Sequence, residues 1–261
     1  MNKIKLSLLT KKIIRGSIPF LIIIVFWYFL YHFHQSTTGL IPSPNLAFLS
    51  FFQLIIDGKI LELILTSLLN LMPPFILAAI LAIVLGIIMG RNKIVFQVFH
   101  PFLSALYPVP SLAWLPFIIL FLGFTREAVW FVIFLSAFIR MIFSIISGVQ
   151  NINIEYILVV KNLAFSKLKT IFNVIIPCSL PHIITGLRLG FGAAWRSLVG
   201  AEMLVITLGG LGKFIWVSQW YFDFDKVIAG IITISLISLL VEEVIFKRIE
   251  KNTLIKWGAI D

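Results

Sequence analysis

The sequence has little of two things that soluble proteins use freely, charge and cysteine. Only 12% of its 261 residues are charged, 60% are hydrophobic, and the mean hydropathy is +1.08. Soluble domains carry about 25% charged residues. The single cysteine, Cys178, excludes an internal disulfide and a cysteine-based metal cluster. These shortages exclude a soluble domain, a disordered chain and a disulfide scaffold, and they predict an all-α polytopic membrane protein.

The charge that is present is mainly basic, with 21 lysines and arginines against 11 acidic residues and a formal net charge of +10. In a soluble protein such an excess would indicate nucleic-acid binding. In a membrane protein the positive-inside rule accounts for it, because basic residues collect in cytoplasmic loops. We therefore expect contact with membrane lipid and no nucleic-acid partner.

Charged residues separate the apolar stretches and predict six spans, each near the ~20 residues that cross a bilayer. The N-terminal run could imitate a signal peptide, but no small-x-small cleavage site follows it, which favours a retained span. One transmembrane domain, 17–246, is expected between an N-terminal tail, 1–16, and a C-terminal tail, 247–261. The predicted spans are about 17–33, 63–89, 98–122, 128–149, 182–206 and 227–246.

The distribution of basic residues predicts the orientation of the six spans. With both termini placed inside, fourteen lysines and arginines fall on the cytoplasmic side and four outside. The positive-inside rule therefore predicts cytoplasmic termini and a long cytoplasmic loop at 150–181. The external loops are then 34–62 and 207–226.

The cytoplasmic loop contains an amphipathic segment. Phe165, Leu168 and Phe172 follow one another at helical spacing, and Pro177 and Pro181 should stop this helix before the next span. The lysines on the opposite side are Lys161, Lys167 and Lys169. From the residues alone, two interpretations stay open: a helix lying on the lipid surface, or a helix docked on a cytoplasmic protein.

Four charged residues fall inside the fourth and fifth predicted spans, where charge is costly and marks a pathway or a buried partner. Arg188 is close enough to the cytoplasmic end to snorkel, whereas Arg196 lies deeper. Arg196 and Glu202 are about 120° apart around a helix and should not pair. Arg140, on the fourth span, is therefore a candidate partner for Glu202.

Two further patterns within the spans concern helix contacts. Gly186 and Gly190 form a small-xxx-small face that favours close helix packing over a ligand site. Pro108 and Pro110 belong to a proline-rich run, 107–116, at membrane depth. Such backbone is tolerated where protein or water satisfies the freed groups, so this run either lines a translocation path or kinks a core helix.

No pattern in the sequence indicates catalysis. The phosphate-binding motif Gly-x-x-x-x-Gly-Lys-Ser/Thr is missing, so the chain is not itself an ATPase. Its four histidines are too dispersed for a metal site, and we expect no cofactor on this chain. An intramembrane enzyme would need clustered acids or histidines, but only Glu202 lies at that depth. An ion-coupled secondary transporter, which would need inverted repeats, remains the alternative to an ATP-driven permease.

Three runs of the sequence resemble the permeases of ATP-binding-cassette (ABC) importers, in particular the nitrate/sulfonate/taurine type. The runs are 40–44, 106–116 with 121–123, and 177–189 continuing to 204. The resemblance implies a type I importer permease in a bacterial inner (plasma) membrane, carrying a small solute such as nitrate, a sulfonate, taurine or a thiamine precursor. It also implies a homodimer, partner ABC ATPase subunits that bind ATP and Mg, and a periplasmic or lipid-anchored solute-binding protein.

The resemblance further implies that the loop 150–181 couples the permease to its ATPase. The family's loop has a Glu-Ala-Ala run and then a glycine before its proline. This chain instead has Leu158-Val159-Val160 and Ala164, and it keeps only Pro177. The residues expected at the ATPase contact are Lys161, Ala164, Phe165, Lys167, Leu168, Phe172 and Pro177.

Overall fold

The computed structural model of the chain describes residues 18–19, 21–33, 41–163, 165–205 and 208–254. Most of these residues are helical and none of them forms a strand, which confirms the all-α class. The predicted N-terminal tail, 1–16, and residue Ala164 lie outside the described residues. The helices are α1 (Leu21–Phe33), α2 (Pro44–Ile56), α3 (Lys59–Arg91), α4 (Lys93–Leu106), α5 (Leu115–Leu122), α6 (Arg126–Gln150), α7 (Ile154–Asn162), α8 (Lys167–Leu204), α9 (Gly210–Trp220) and α10 (Phe224–Glu250).

Four of these helices, α3, α6, α8 and α10, are long and apolar enough to cross a membrane. A fifth span is formed if α4 and the 3₁₀ turn plus α5 (Ser111–Leu122) count as one bent unit. Within the predicted first span, the longest described helix is α1, which has 13 residues. At ~1.5 Å per residue, these residues cover less than the ~30 Å of a hydrocarbon core. The described residues therefore contain four or five candidate spans where the sequence predicts six.

The chain divides into two compact units, and the first consists of Met1–Ile60 and Ile215–Ile232. In it the Trp27 indole N–H donates to the Pro42 carbonyl at 3.1 Å. The Ser50 hydroxyl donates to the carboxyl group of Asp225, which ties α2 to the first turn of α10. These bonds connect segments that are distant in the sequence.

The second unit, Leu61–Phe214 and Thr233–Asp261, contains every residue of the candidate sites below. Its core is built around α6, which packs along α8. Residues such as Ile133, Met141 and Ile145 of α6 are completely buried. On α3, by contrast, an apolar stripe that includes Leu65, Leu69 and Ile80 is more than half exposed. An apolar helix surface left uncovered by protein fits a membrane span.

Both predicted external loops contain a helix that the sequence interpretation missed. In 34–62 the helix α2 begins after Ser43, whose hydroxyl accepts from the Leu46 N–H at 3.2 Å, with Pro44 in the first turn. Serine before proline is a common helix start, so the beginning of α2 could have been predicted from the sequence. In 207–226 the helix α9 begins at Gly210.

The helix α8 corrects a second expectation, because neither Pro177 nor Pro181 stops it. The helix continues from Lys167 to Leu204 through a wide π turn at Ile171–Ile175. The Ser179 hydroxyl donates to the Ile175 carbonyl at 2.7 Å. Wider turns and serine side chains satisfy backbone groups near a proline, so a proline can remain inside a spanning helix.

The proline-rich run does interrupt a helix. The axes of α4 and of Ser111–Leu122 are 88° apart, with the break at 107–110. Pro108 and Pro110 lack the N–H groups that a continuous helix would need there. A 3₁₀ turn, Ser111–Trp114, then leads into α5.

Candidate functional site

The break between α4 and α5 forms one wall of a cavity in the second unit. The cavity has a volume of about 330 Å³, and α6 and α8 provide its other walls. An adjoining cavity of about 460 Å³ shares Tyr107, Arg140 and Arg196 with the first. Pro108 and Pro110 also line the first cavity. The structure thus brings together four of the residues selected from the sequence as pathway candidates.

Arg140 does not pair with Glu202, which corrects the expected contact. Its Nη1 donates instead to the Tyr107 hydroxyl at 2.5 Å, and its guanidinium lies 4.4 Å from the centre of the Tyr107 ring. This arrangement combines a hydrogen bond with a cation–π contact. It holds Arg140 at the cavity wall, and within the described residues most of its N–H donors remain free for another group.

Three hydroxyl groups form a row in the first cavity. The hydroxyls of Ser111 and Ser197 are 2.7 Å apart, and Ser197 donates to Ser136 at 2.9 Å. Each serine comes from a different wall, since Ser111 follows the helix break, Ser136 lies on α6 and Ser197 on α8. The sequence interpretation missed this row because none of the three serines belongs to a local motif.

Glu202 lies in a separate, fully buried cluster at the end of α8. Its carboxyl group accepts from the Ser67 hydroxyl at 3.0 Å and from the Asn70 amide at 3.3 Å, both on α3. It also accepts from the backbone N–H of Gly212 at 3.0 Å. Acidic groups stabilise a helix N-terminus, where backbone N–H groups lack partners within the helix. Glu202 thus joins α3, α8 and the first turn of α9.

Arg188 forms an ion pair with Glu242 and lies 3.5 Å from the carboxyl group of Glu250. Both acids are on α10, so the pair links α8 to the last helix. The Arg188 side chain is 38% exposed. Arg188, which was expected to snorkel, therefore has acidic partners. The acidic residues at the end of the last predicted span could have indicated this pairing.

Gly186 and Gly190 pack α8 against α6. A Cβ atom at Gly190 would lie 2.5 Å from Met141 Cε, and one at Gly186 would lie 3.2 Å from the Met141 carbonyl. Both distances are shorter than ordinary van der Waals contact. This is the close helix contact that the small-xxx-small pattern predicts, and it lies within the core of one chain.

The predicted cytoplasmic segment, 150–181, contains α7 and the start of α8, with a break between the two helices. The helix α7 ends at Asn162, and α8 begins at Lys167 after Ser166, whose hydroxyl accepts from the Lys169 N–H at 3.4 Å. The expectation that Phe165, Leu168 and Phe172 lie on one helix is therefore wrong for Phe165, because the helix starts only after Ser166. Leu168 and Phe172 are 69% and 65% exposed, and the Lys169 ammonium lies 4.3 Å from the centre of the Phe165 ring.

Histidine and acidic side chains do not gather into a metal site in the part of the chain that the structure describes. His100 packs against Phe96 and Phe143, with its Nδ1 3.4 Å from the Ser104 hydroxyl. His182 packs on Gly148, whose lack of a side chain makes room for it. These histidines have structural contacts.

The sequence is similar to known transport proteins over most of its length. The family model for the binding-protein-dependent transport system inner membrane component matches residues 82–252. The nitrate import permease protein NrtB of Synechocystis sp. is 30% identical, over 90% of this chain and 87% of that protein. The putative aliphatic sulfonates transport permease protein SsuC of Bacillus subtilis is 30% identical, over 90% of this chain and 84% of that protein. The taurine transport system permease protein TauC of Escherichia coli is 32% identical, over 71% of this chain and 67% of that protein.

The matched region contains α6, α8 and α10, so it includes the cavity, the end of α8 that carries Glu202, and the predicted cytoplasmic segment. The match confirms the resemblance read from the proline-rich runs. It also selects an importer permease over an intramembrane enzyme and over the alternative of an ion-coupled secondary transporter. The chain belongs to the family of binding-protein-dependent transport system inner membrane components, the multi-pass permease subunits of ABC importers.

Proposed function

We propose that this chain carries a small solute across the membrane when a separate ATPase, docked on the cytoplasmic segment, binds and hydrolyses ATP. The observation that carries the proposal is the exposure of Leu168 and Phe172 at the start of α8. These side chains are four residues apart and therefore share one face. No phosphate-binding motif occurs in the chain, so ATP and Mg belong to the partner.

The continuity of α8 supports a mechanical role for this helix. One helix of 38 residues extends from the exposed tip to Leu204, at ~1.5 Å per residue about 55 Å away. Arg188, Arg196 and Glu202 all lie on it. A displacement at the tip would therefore be carried directly to the cavity and to the Glu202 cluster.

The relatives indicate the class of solute. Nitrate, aliphatic sulfonates and taurine all carry an anionic group, and the two arginines at the cavity favour an anion in this chain as well. A neutral or cationic thiamine precursor is the competing solute. Binding assays on a solute-binding protein encoded beside this chain distinguish the two, and recovery of a cation and no anion would reject the anionic class.

A complete transporter would then contain two copies of this chain, two ATPase subunits and the solute-binding protein. A single chain of this size leaves long apolar faces uncovered, among them the exposed stripe on α3. Lipid or a second copy would cover such faces. Cross-linking of the purified transporter, followed by mass determination, tests the proposed homodimer.

The coupling proposal is tested with Leu168→Asp. Burial of a leucine at an interface contributes about 1.5–3 kcal/mol, which the mutation would replace with a buried, unpaired charge. We expect the variant to enter the membrane normally but to lose both ATPase co-purification and transport.

Asn173→Asp is the matched control, since it adds the same charge to the same helix. Asn173 is exposed and lies about one turn after Lys169, so the new carboxylate would have water and a basic side chain near it. This variant should keep its ATPase. A Leu168→Asp protein that retains a tightly bound, substrate-stimulated ATPase would instead indicate a helix that rests on lipid.

A further inference from the structure

Two arginines inside the spans face the same space. Arg140 on α6 and Arg196 on α8 line both adjoining cavities, together with Tyr107. Both arginines are exposed although buried residues lie beside them in the chain, Met141 after Arg140, and Ala194 and Leu198 on either side of Arg196. An arginine held at membrane depth faces a water-filled space or a partner group, because lipid contact is costly.

Neither arginine has an acidic partner among the residues that the structure describes. Arg140 bonds only the neutral Tyr107, and Arg196 makes no hydrogen bond or ion pair within the same described residues. Arg188, eight residues before Arg196 on α8, shows the opposite arrangement, with Glu242 and Glu250 beside it. On α8, the charge of Arg188 is therefore neutralised by acidic residues, whereas the charge of Arg196 is available to bind an anion.

The rest of the cavity lining suits an anion. The row of Ser111, Ser197 and Ser136 supplies hydroxyl groups that can donate as well as accept. None of the described residues that line either cavity is acidic. A guanidinium offers paired N–H donors that match the flat arrangement of oxygens in nitrate or the oxygens of a sulfonate.

The volumes of the two cavities also suit a small anion. The two cavities, of about 330 and 460 Å³, fall within the range of roughly 300–1,000 Å³ typical of small-molecule sites. An oxyanion of a few heavy atoms would fit with part of its hydration water. The helix break at 107–110 opens this space, since a continuous α4–α5 helix would have no bend there.

We propose that Arg140 and Arg196, with the serine row, form a transit site for small oxyanions within the permease. The proposal rests on the proposed function, of which it specifies the substrate chemistry. Arg140 and Arg196 supply the attraction, and the serines replace part of the hydration shell. Tyr107 positions Arg140. Two positive charges in a cleft with low-dielectric walls raise the local concentration of anions by roughly 10- to 1,000-fold.

The test measures the reactivity of a cysteine placed in the cavity. Ser136→Cys is built in a Cys178→Ser background, so that it carries the only thiol in the chain. The transporter in lipid nanodiscs is treated with 2-sulfonatoethyl methanethiosulfonate or with its trimethylammonium counterpart. The rate constant for each reagent is divided by its rate constant with free 2-mercaptoethanol, which corrects for the different intrinsic reactivities of the two reagents. We expect the anionic reagent to be favoured by about tenfold or more.

Matched variants identify the source of that preference. Arg140→Gln with Arg196→Gln should abolish it, whereas Arg188→Gln, which removes an arginine that is already paired, should change it less than about twofold. Replacing gluconate with nitrate at equal ionic strength should slow the reaction of the anionic reagent with the Ser136→Cys, Cys178→Ser protein. The same replacement should have no effect once both arginines of that protein are changed to glutamine.

Several results would overturn the transit site. Protection of the introduced thiol from both reagents would place the cavity against lipid or a dry subunit contact. A preference that survives the double glutamine variant, or that nitrate leaves unchanged, would show that the two arginines bind no anion. Because this measurement needs no ATP hydrolysis, its failure leaves the coupling proposal intact. A failure of the Leu168 test likewise leaves the transit site intact.

Discussion

The backbone N–H of Gly212 donates to the Glu202 carboxyl group at 3.0 Å, joining the end of α8 to the first turn of α9. A Cβ atom at Gly212 would collide with the Val199 carbonyl, so only glycine allows the two backbones to approach this closely. Gly210 has a φ of +89°, and any side chain there would strike the Glu202 carboxyl group. Gly210 is therefore required by the buried acid, and Gly212 by the close approach of α9 to the Val199 backbone.

Glu202→Gln should destabilise the protein. The amide has one acceptor oxygen where the carboxyl group has two, so it cannot accept from Ser67, Asn70 and Gly212 as the acid does. Losing a buried hydrogen bond of this kind costs about 1.5–3 kcal/mol. Thermal unfolding in detergent measures the loss.

The matched control for Glu202 is Glu243→Gln, which removes an exposed acid paired with Lys247. Exposed ion pairs contribute about 0–1 kcal/mol, so this variant should unfold close to the parent. Equal unfolding temperatures for the Glu202 and Glu243 variants would argue against a structural role for the Glu202 cluster.

Gly190→Ala should weaken the contact between α6 and α8. The added methyl group would lie 2.5 Å from Met141 Cε, and overpacking of this kind costs about 1–3 kcal/mol.

Gly192→Ala is the control, because its new Cβ would meet only Arg196 Nη1 at 3.9 Å. Alanine favours a helix, so the control should be neutral or stabilising. Partial rescue of Gly190→Ala by Met141→Ala, read by thermal unfolding, would identify the contact, whereas equal behaviour of both glycine variants would refute it.

The orientation of the spans is a third prediction. Reporter fusions at Lys93, Ile157 and the C-terminus should read cytoplasmic, and fusions at Lys59 and Lys213 external, because the basic residues concentrate on one side. Paired reporters that are active on opposite sides of the membrane give each site its own control. An external result at Ile157 would remove the cytoplasmic segment from reach of an ATPase.

The distribution of apolar residues and the local motifs made much of this fold predictable. Composition indicated a helical membrane chain, and the close contact at Gly186 and Gly190 followed from their spacing. The break near Pro108 followed from the missing N–H groups of proline. Local signals were also misread: Pro177 and Pro181 stay inside α8, which passes through a π turn at Ile171–Ile175 just before them.

The partners of the charged groups were decided by the tertiary structure alone. Ser67 and Glu202 are 135 residues apart in the chain, and no periodicity relates them. Arg140 bonds Tyr107, 33 residues before it, because the break after α4 brings that ring to α6. The sequence by itself determined which residues place charge within apolar segments and that several segments are long and apolar enough to cross a membrane, since both depend on local composition. The tertiary structure decided that Arg188 is neutralised while Arg140 and Arg196 share an open cavity, because pairing depends on which helices pack side by side.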